Sequence, residues 1–201
     1  MTDDFKELLG YSIVIIFLAY CAYTYYDGIE AFQLNCIVSN VDGNKYCVRE
    51  REKLQDAADL LAKVTTNCKK LVEYLCEKHT ENEAVMRLKK GFNSNKIMET
   101  LPTSSYTAYS ENKGEKVAFC LNKKKEDNNN LIDLNTLTFV AFHEMAHIMT
   151  VSIGHKPEFW ENFKFLLENA KAAGIHDPVN YGNKPTEYCG MTITDNPYYT
   201  H

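Results

Sequence analysis

The sequence is short of the residues that build repeats, linkers and nucleic-acid surfaces. Its 201 residues include only five prolines and nine glycines, too few for a repetitive or linker-dominated chain. It contains no internal repeat. No asparagine is followed two places later by serine or threonine, so there is no N-glycosylation acceptor. A basic excess is also missing: 22 lysines and arginines face 27 aspartates and glutamates, a formal charge of -5. An acidic chain has no general field to attract phosphate backbones, so no nucleic-acid partner is expected. Hydrophobic residues at 45% and charged residues at 24% exclude a collagen-like or wholly disordered chain. They fit one packed domain with an appendage.

Charge is absent altogether from Leu8 to Tyr26, a run of 19 residues. As a helix this run would be about 28 Å long, close to the roughly 30 Å hydrocarbon thickness of a bilayer. Tyr11 at one end and Tyr23, Tyr25 and Tyr26 at the other fit an interfacial aromatic belt. A cleaved signal peptide would want a basic start, whereas Asp3, Asp4 and Glu7 surround a lone Lys6. Leu18-Ala19-Tyr20-Cys21 has the wrong residue before its cysteine for a lipoprotein cleavage site. The run therefore reads as a membrane anchor rather than a buried helix, which makes the chain a single-pass membrane protein. Its orientation is not set, because the flanking basic residues are too distant.

Cys21 lies in that run, leaving Cys36, Cys47, Cys68, Cys76, Cys120 and Cys189 for the body. Six cysteines permit fifteen pairings. Their spacing selects none, and free buried thiols fit equally well.

Along the body, Asp42-Gly43 between two apolar runs predicts a hairpin over Ile37 to Val48. Leu54, Ala57, Ala58, Leu61, Val64, Cys68, Leu71 and Leu75 recur at three and four, predicting a long helix from Glu50 to His79 with one core-facing stripe. A shorter helix is expected from Glu83 to Lys90, with Gly91 as a left-handed cap. Asn93 to Lys113 is polar and irregular. Lys116 to Leu121 reads as a strand, and Asn122 to Asn130, with its lysine run, as a solvated loop.

The chemistry concentrates in one helix, Thr136 to Thr150, capped by Asp133 or Asn135. It contains His143-Glu144-Met145-Ala146-His147. Histidines at i and i+4 lie one turn apart on one face, so both imidazoles reach one ion. Glu144 is placed to take a proton from the attacking water, which Zn2+ would make acidic enough to react at neutral pH. His155 follows Gly154, and Pro157 opens the next helix, which runs to about Ala173. A histidine on the turn between two helices can swing back to complete a three-histidine set, leaving a fourth position open, as a catalytic zinc requires. His176 is a weaker alternative third ligand, separated from His147 by a whole helix.

These residues carry a resemblance. His143-Glu144-Met145-Ala146-His147 followed by Gly154-His155-Lys156-Pro157-Glu158-Phe159-Trp160 resembles the SprT-like and WLM zinc metallopeptidases, over about Thr136 to Phe163. More closely, Cys36 to Tyr199 resembles a group of small candidate metallopeptidases encoded by large DNA viruses and some microbes. The matching segments include Val41-Asp42-Gly43, Ala57-Ala58-Asp59-Leu60-Leu61, Asn112-Lys113-Gly114-Glu115-Lys116 and Tyr188-Cys189-Gly190-Met191. The resemblance implies His143, His147 and His155 as zinc ligands and Glu144 as general base. In such peptidases an edge strand beside the zinc helix holds the substrate, which points here to Val117 and Phe119. Tyr188 or Tyr181 would donate to the oxyanion, Met191 would lie beneath the metal, and a Cys189 thiolate could occupy the open zinc position. SprT-like and WLM proteins are associated with DNA–protein crosslink repair, a role that an acidic, anchored chain does not inherit.

The expectation is thus an α+β, zincin-like metallopeptidase domain over 28–201, with a small sheet and a HExxH helix, behind a tail and transmembrane anchor over 1–27. Its partners would be a protein or peptide substrate, and the membrane through residues 8–26. The rival is a catalytically silent, membrane-tethered binding protein with a partner surface on the long helix. A complete ligand-plus-base set favours the enzyme, because a structural site has no need of Glu144.

Overall fold

The computed structural model describes residues 10–23, 34–125, 127 and 129–200. It is a mixed α+β fold with three small sheets. Helix α1 is described over residues 10–23. The body then runs β1 (Leu34–Val38), β2 (Lys45–Arg49), α2 (Leu54–Lys78), α3 (Glu83–Gly91), β3 (Ile97–Glu99), β4 (Ala108–Glu111) and β5 (Lys116–Phe119). It continues through α4 (Leu134–Met149), α5 (Pro157–Ala172), β6 (Thr186–Tyr188), β7 (Met191–Ile193) and the short α6 (Pro197–Thr200).

The anchor expected over residues 8–26 is overturned. Among the described residues, no helix is long and apolar enough to cross a membrane. The transmembrane segment and the single-pass localisation fall together. Residues 8–9 and 24–26 of that run lie outside the described residues.

The hairpin forms where its turn chemistry placed it. Asp42 accepts from the Asn44 amide at 3.0 Å and from the Tyr46 hydroxyl at 2.8 Å. β1 and β2 pair antiparallel with Cys36 opposite Cys47, and these two are joined by a disulfide. The α2 stripe is buried as its period required, against β2, α3 and α4. The helix starts at Leu54 rather than Glu50 because Arg49 and Arg51 turn inward. Arg49 donates to the Thr100 carbonyl at 2.7 Å and to the Thr100 hydroxyl at 2.9 Å, while Arg51 pairs with buried Glu99 and donates to Asn122 at 2.8 Å. Buried charges stay in place only when paired in this way.

Gly91 ends α3 without a left-handed conformation. A Cβ there would come within 2.5 Å of the Lys113 carbonyl and 2.7 Å of Ile148. Glycine is used for the close approach of α3 to the β4–β5 turn and to α4.

The stretch expected to be irregular, Asn93 to Lys113, holds β3 and β4. The three-stranded sheet has the order β3-β5-β4, with β5 parallel to β3 and antiparallel to β4. The strand expected to offer a free edge is therefore the middle one. Val117 and Phe119 are 2% and 1% exposed, β5 is paired on both sides, and the sheet's end strand beside α4 is β4.

Helix α4 runs through the centre, with α2, α3, α5 and β4 packed around it. Asp133 is its N-cap, accepting from the Thr136 amide at 2.9 Å. A second disulfide, Cys120–Cys189, ties the end of β5 to the β6–β7 turn. Cys68 and Cys76 are free thiols.

His176 is buried against Phe142, ring centroids 5.7 Å apart; Phe142 directly precedes His143 but faces about 100° away from it around α4, so His176 is not in the three-histidine cluster. Neither ring nitrogen has a hydrogen-bond partner among the described residues. Burial depresses its pKa from 6.5 to about 4, opposed by Asp177 and Asp133. A folded-state pKa below the unfolded value gives stability that is complete above pH 6.5 and lost as pH falls toward 4, by up to about 3 kcal/mol. His176→Leu is therefore expected to match the wild type at pH 7.5 and to be the more stable protein at pH 5, by 1 kcal/mol or more. Urea unfolding at the two pH values measures this. An unchanged difference would show that the ring is not held neutral.

Candidate metal centre

Two histidines on one helix face reach a common point because of helix geometry. The ring centroids of His143 and His147 lie 5.0 Å apart. His155 comes from the α4–α5 loop, its ring 4.9 Å from both. The Nε2 atoms of His143 and His155 are 3.0 Å apart, and one nitrogen from each of the three rings lies within 4.8 Å of the others. Two imidazoles on one tetrahedral zinc, each at about 2.0–2.1 Å, have nitrogens roughly 3.3 Å apart. The donor set fits such an ion, and these three residues could hold it.

The loop carrying His155 is held from several sides. Gly154 turns the chain with φ 81°, where a side chain would be strained. The Glu158 carboxylate, at the start of α5, accepts from the amides of Val151 at 3.0 Å and Ser152 at 3.3 Å, and from the Ser152 hydroxyl at 3.1 Å. Lys113 donates to the carbonyls of His147 at 3.1 Å and Thr150 at 2.6 Å, and Arg87 donates to that of Met149 at 2.7 Å. Cations at a helix C-terminus satisfy its open carbonyls and match its dipole. Beneath the loop, the Phe159 ring packs on all three imidazoles, at 4.8, 4.4 and 4.6 Å from His143, His147 and His155.

Burial sets the protonation of the site. His143 is pushed down to about 3 by burial and by the neighbouring His147 and His155. His147 falls to about 4 through burial, His155 and Lys113. Both rings are neutral at pH 7, so their lone pairs are available to a cation. Glu144 is 5% exposed. Burial raises its pKa to about 7, and the Ser110 hydroxyl on β4 pulls it the other way.

His143, His155 and Glu144 border two hollows, and His147 borders the second of them. One, of about 410 Å³, is bounded by α4, α5 and the β6–β7 hairpin. The other, of about 550 Å³, opens between β4 and the His155 loop. A larger surface hollow of about 780 Å³ beside Lys90 and Asn93 contains none of the three histidines.

The remaining candidates fare differently. Tyr188 borders the smaller hollow, but its hydroxyl donates to the Thr107 carbonyl at 3.1 Å. Tyr181 is buried with its ring 4.9 Å from Phe139 and borders neither hollow, so it is not placed to reach a substrate there. Val117 and Phe119 lie inside the sheet. Met191 stands half-exposed on β7 at the rim, and the floor under the imidazoles is Phe159 instead. Cys189 is bonded to Cys120 and offers no thiolate. His176 is remote from the cluster for the packing reason already given. Sequence reasoning missed Ser110, Lys113 and Glu158. A four-residue strand leaves no periodic signal for Ser110, and Glu158 reads only as an acidic first-turn residue.

No family model matches the chain. It is 26% identical over 163 residues to an uncharacterized protein of Acanthamoeba polyphaga mimivirus, covering 79% of this chain and 82% of that one. Shorter matches link it to uncharacterized proteins of invertebrate iridescent virus 6, 36% identical over 63 residues, and invertebrate iridescent virus 3, 41% identical over 61 residues. They cover 31% and 29% of this chain, and 35% and 36% of those relatives, so the chain spans about a third of the length of each. Among solved structures it is similar to the crystal structure of Wss1 from Saccharomyces cerevisiae. The TM-score is 0.47 and the identity 15%, covering 62% of this chain and 84% of that one.

Proposed function

We propose that the chain is a zinc-dependent peptidase. The observation that carries this reading is the convergence of His143, His147 and His155 beside a buried carboxylate, at the end strand of a sheet. The three imidazoles would hold the ion. When bound, zinc supplies Lewis acidity that makes water a usable nucleophile near neutral pH. Glu144 accepts the proton of the attacking water and returns it to the leaving amine, work suited to a carboxyl near the operating pH. β4 aligns an extended peptide by pairing with it, so that Ala108 and Ser110 flank the scissile bond. A structural zinc site would close its fourth position and would have no use for Glu144.

Metal content of the purified chain tests the ligand set. We expect one zinc per wild-type chain, at least about 100-fold weaker binding in His155→Ala, and unchanged binding in His176→Leu. Zinc held equally by His155→Ala would move the third ligand elsewhere.

Substituting Glu144→Gln tests the chemistry separately. Zinc should stay bound while peptide cleavage falls by about 100-fold or more, the scale of a lost general base. Cleavage at the wild-type rate would sink the mechanism, and a folded, zinc-loaded wild type that cleaves no peptide would sink the function.

A further inference from the structure

The two hollows that meet at the histidines are unequal. The open one has a mixed rim, with Ser110, Asn112, Lys113 and Ile153, the last 87% exposed. The closed one is walled by Phe139 and Val140 of α4, Trp160 and Phe163 of α5, and Tyr188 and Ile193 of the C-terminal hairpin. Among the described residues, and apart from the site residues themselves, its one acidic neighbour is Asp195. That carboxylate already accepts from the Asn196 amide and the Thr200 hydroxyl, both at 2.7 Å, at the start of α6. Among the described residues, no lysine or arginine borders the hollow.

From this geometry we infer that the closed hollow is the specificity pocket and takes one large apolar side chain of the substrate, next to the bond to be cleaved. The inference rests on the peptidase reading and names its substrate class. Ala108 borders both hollows. A peptide lying along β4 therefore passes from one to the other, and the small Ala108 side chain leaves room for one residue to turn into the closed side. An acidic side chain there would meet Glu144 and Asp195. A basic one would lose its water to a wall of aromatic and aliphatic groups, with only an engaged carboxylate nearby. An apolar side chain gains from burial at no such cost.

Trp160 is the only tryptophan in the chain and borders the closed hollow, so its fluorescence reports occupancy without any turnover. The zinc-loaded full chain carrying Glu144→Gln is titrated with capped, tryptophan-free hexapeptides. These differ at one central position: leucine, phenylalanine, alanine, aspartate or lysine. Leucine and phenylalanine peptides should shift the Trp160 emission saturably and bind at least about tenfold more tightly than the others. Adding Val140→Phe, which fills the hollow, should abolish that advantage while zinc and thermal stability persist. Should that variant fail to fold, Ile193→Lys on the facing wall should turn the preference toward aspartate. Equal binding of all peptides, no Trp160 response, or an advantage that survives both variants would overturn the inference. The peptidase reading is judged apart from this, by whether the zinc-loaded wild type cuts any of the five peptides.

Discussion

A helix can bring only two imidazoles to one point, because after i and i+4 the next turn has moved away along the axis. The third donor must arrive from outside α4, and its position is only as definite as the loop that carries it. The region after Met149 is therefore where the site is made. Glu158 holds the loop's amides, Lys113 and Arg87 hold the helix's last carbonyls, and Phe159 packs on all three rings. The two cations come from different elements. Lys113 sits on the β4–β5 turn and Arg87 on α3, and these two elements touch because Gly91 has no Cβ. A contact far from the histidines in sequence thus fixes the end of the helix that bears them.

The periodic parts of this arrangement were legible in the sequence. The α2 stripe, the Asp133 cap, the paired histidines and Pro157 opening α5 all follow from local spacing. β4 was not legible, because Ala108-Tyr109-Ser110-Glu111 has no alternation and owes its extended form to pairing with β5. Without β4, the strand with the clearest apolar pattern, β5, looked like an edge. Its apolarity is that of a central strand buried on both faces. The amino-terminal error has a different origin. A run without charge was read as a membrane span, whereas among the described residues no helix is long and apolar enough to cross a bilayer.

The disulfides could not be chosen from spacing because both are tertiary facts. Cys36 and Cys47 meet through hairpin register. Cys120 and Cys189 meet because the β6–β7 turn docks on the segment leaving β5, with Cys189 and Gly190 amides donating to the carbonyls of Asn122 and Lys123, each at 2.9 Å. Asn122 also accepts from Arg51. One short segment thus links the buried charge network to the wall of the metal cleft, so the wall is tied to the body core rather than hung from the carboxy terminus.

That connection explains the asymmetry of the cleft. The side built from β6–β7 is restrained by a disulfide, by two backbone bonds and by the bond from Tyr188 to the Thr107 carbonyl, which also accepts the Cys120 amide at 2.7 Å. The other side ends in the His155 loop, whose tip leaves Val151 and Ile153 largely in solvent. A restrained wall holds a fixed shape against which a side chain can be measured. An exposed loop makes few contacts beyond those that aim its histidine, and it leaves the chain room to enter and leave. The fold therefore has a restrained side and an open side, with His143, His155 and Glu144 at their boundary, and under the proposed peptidase function these sides would serve selection and passage.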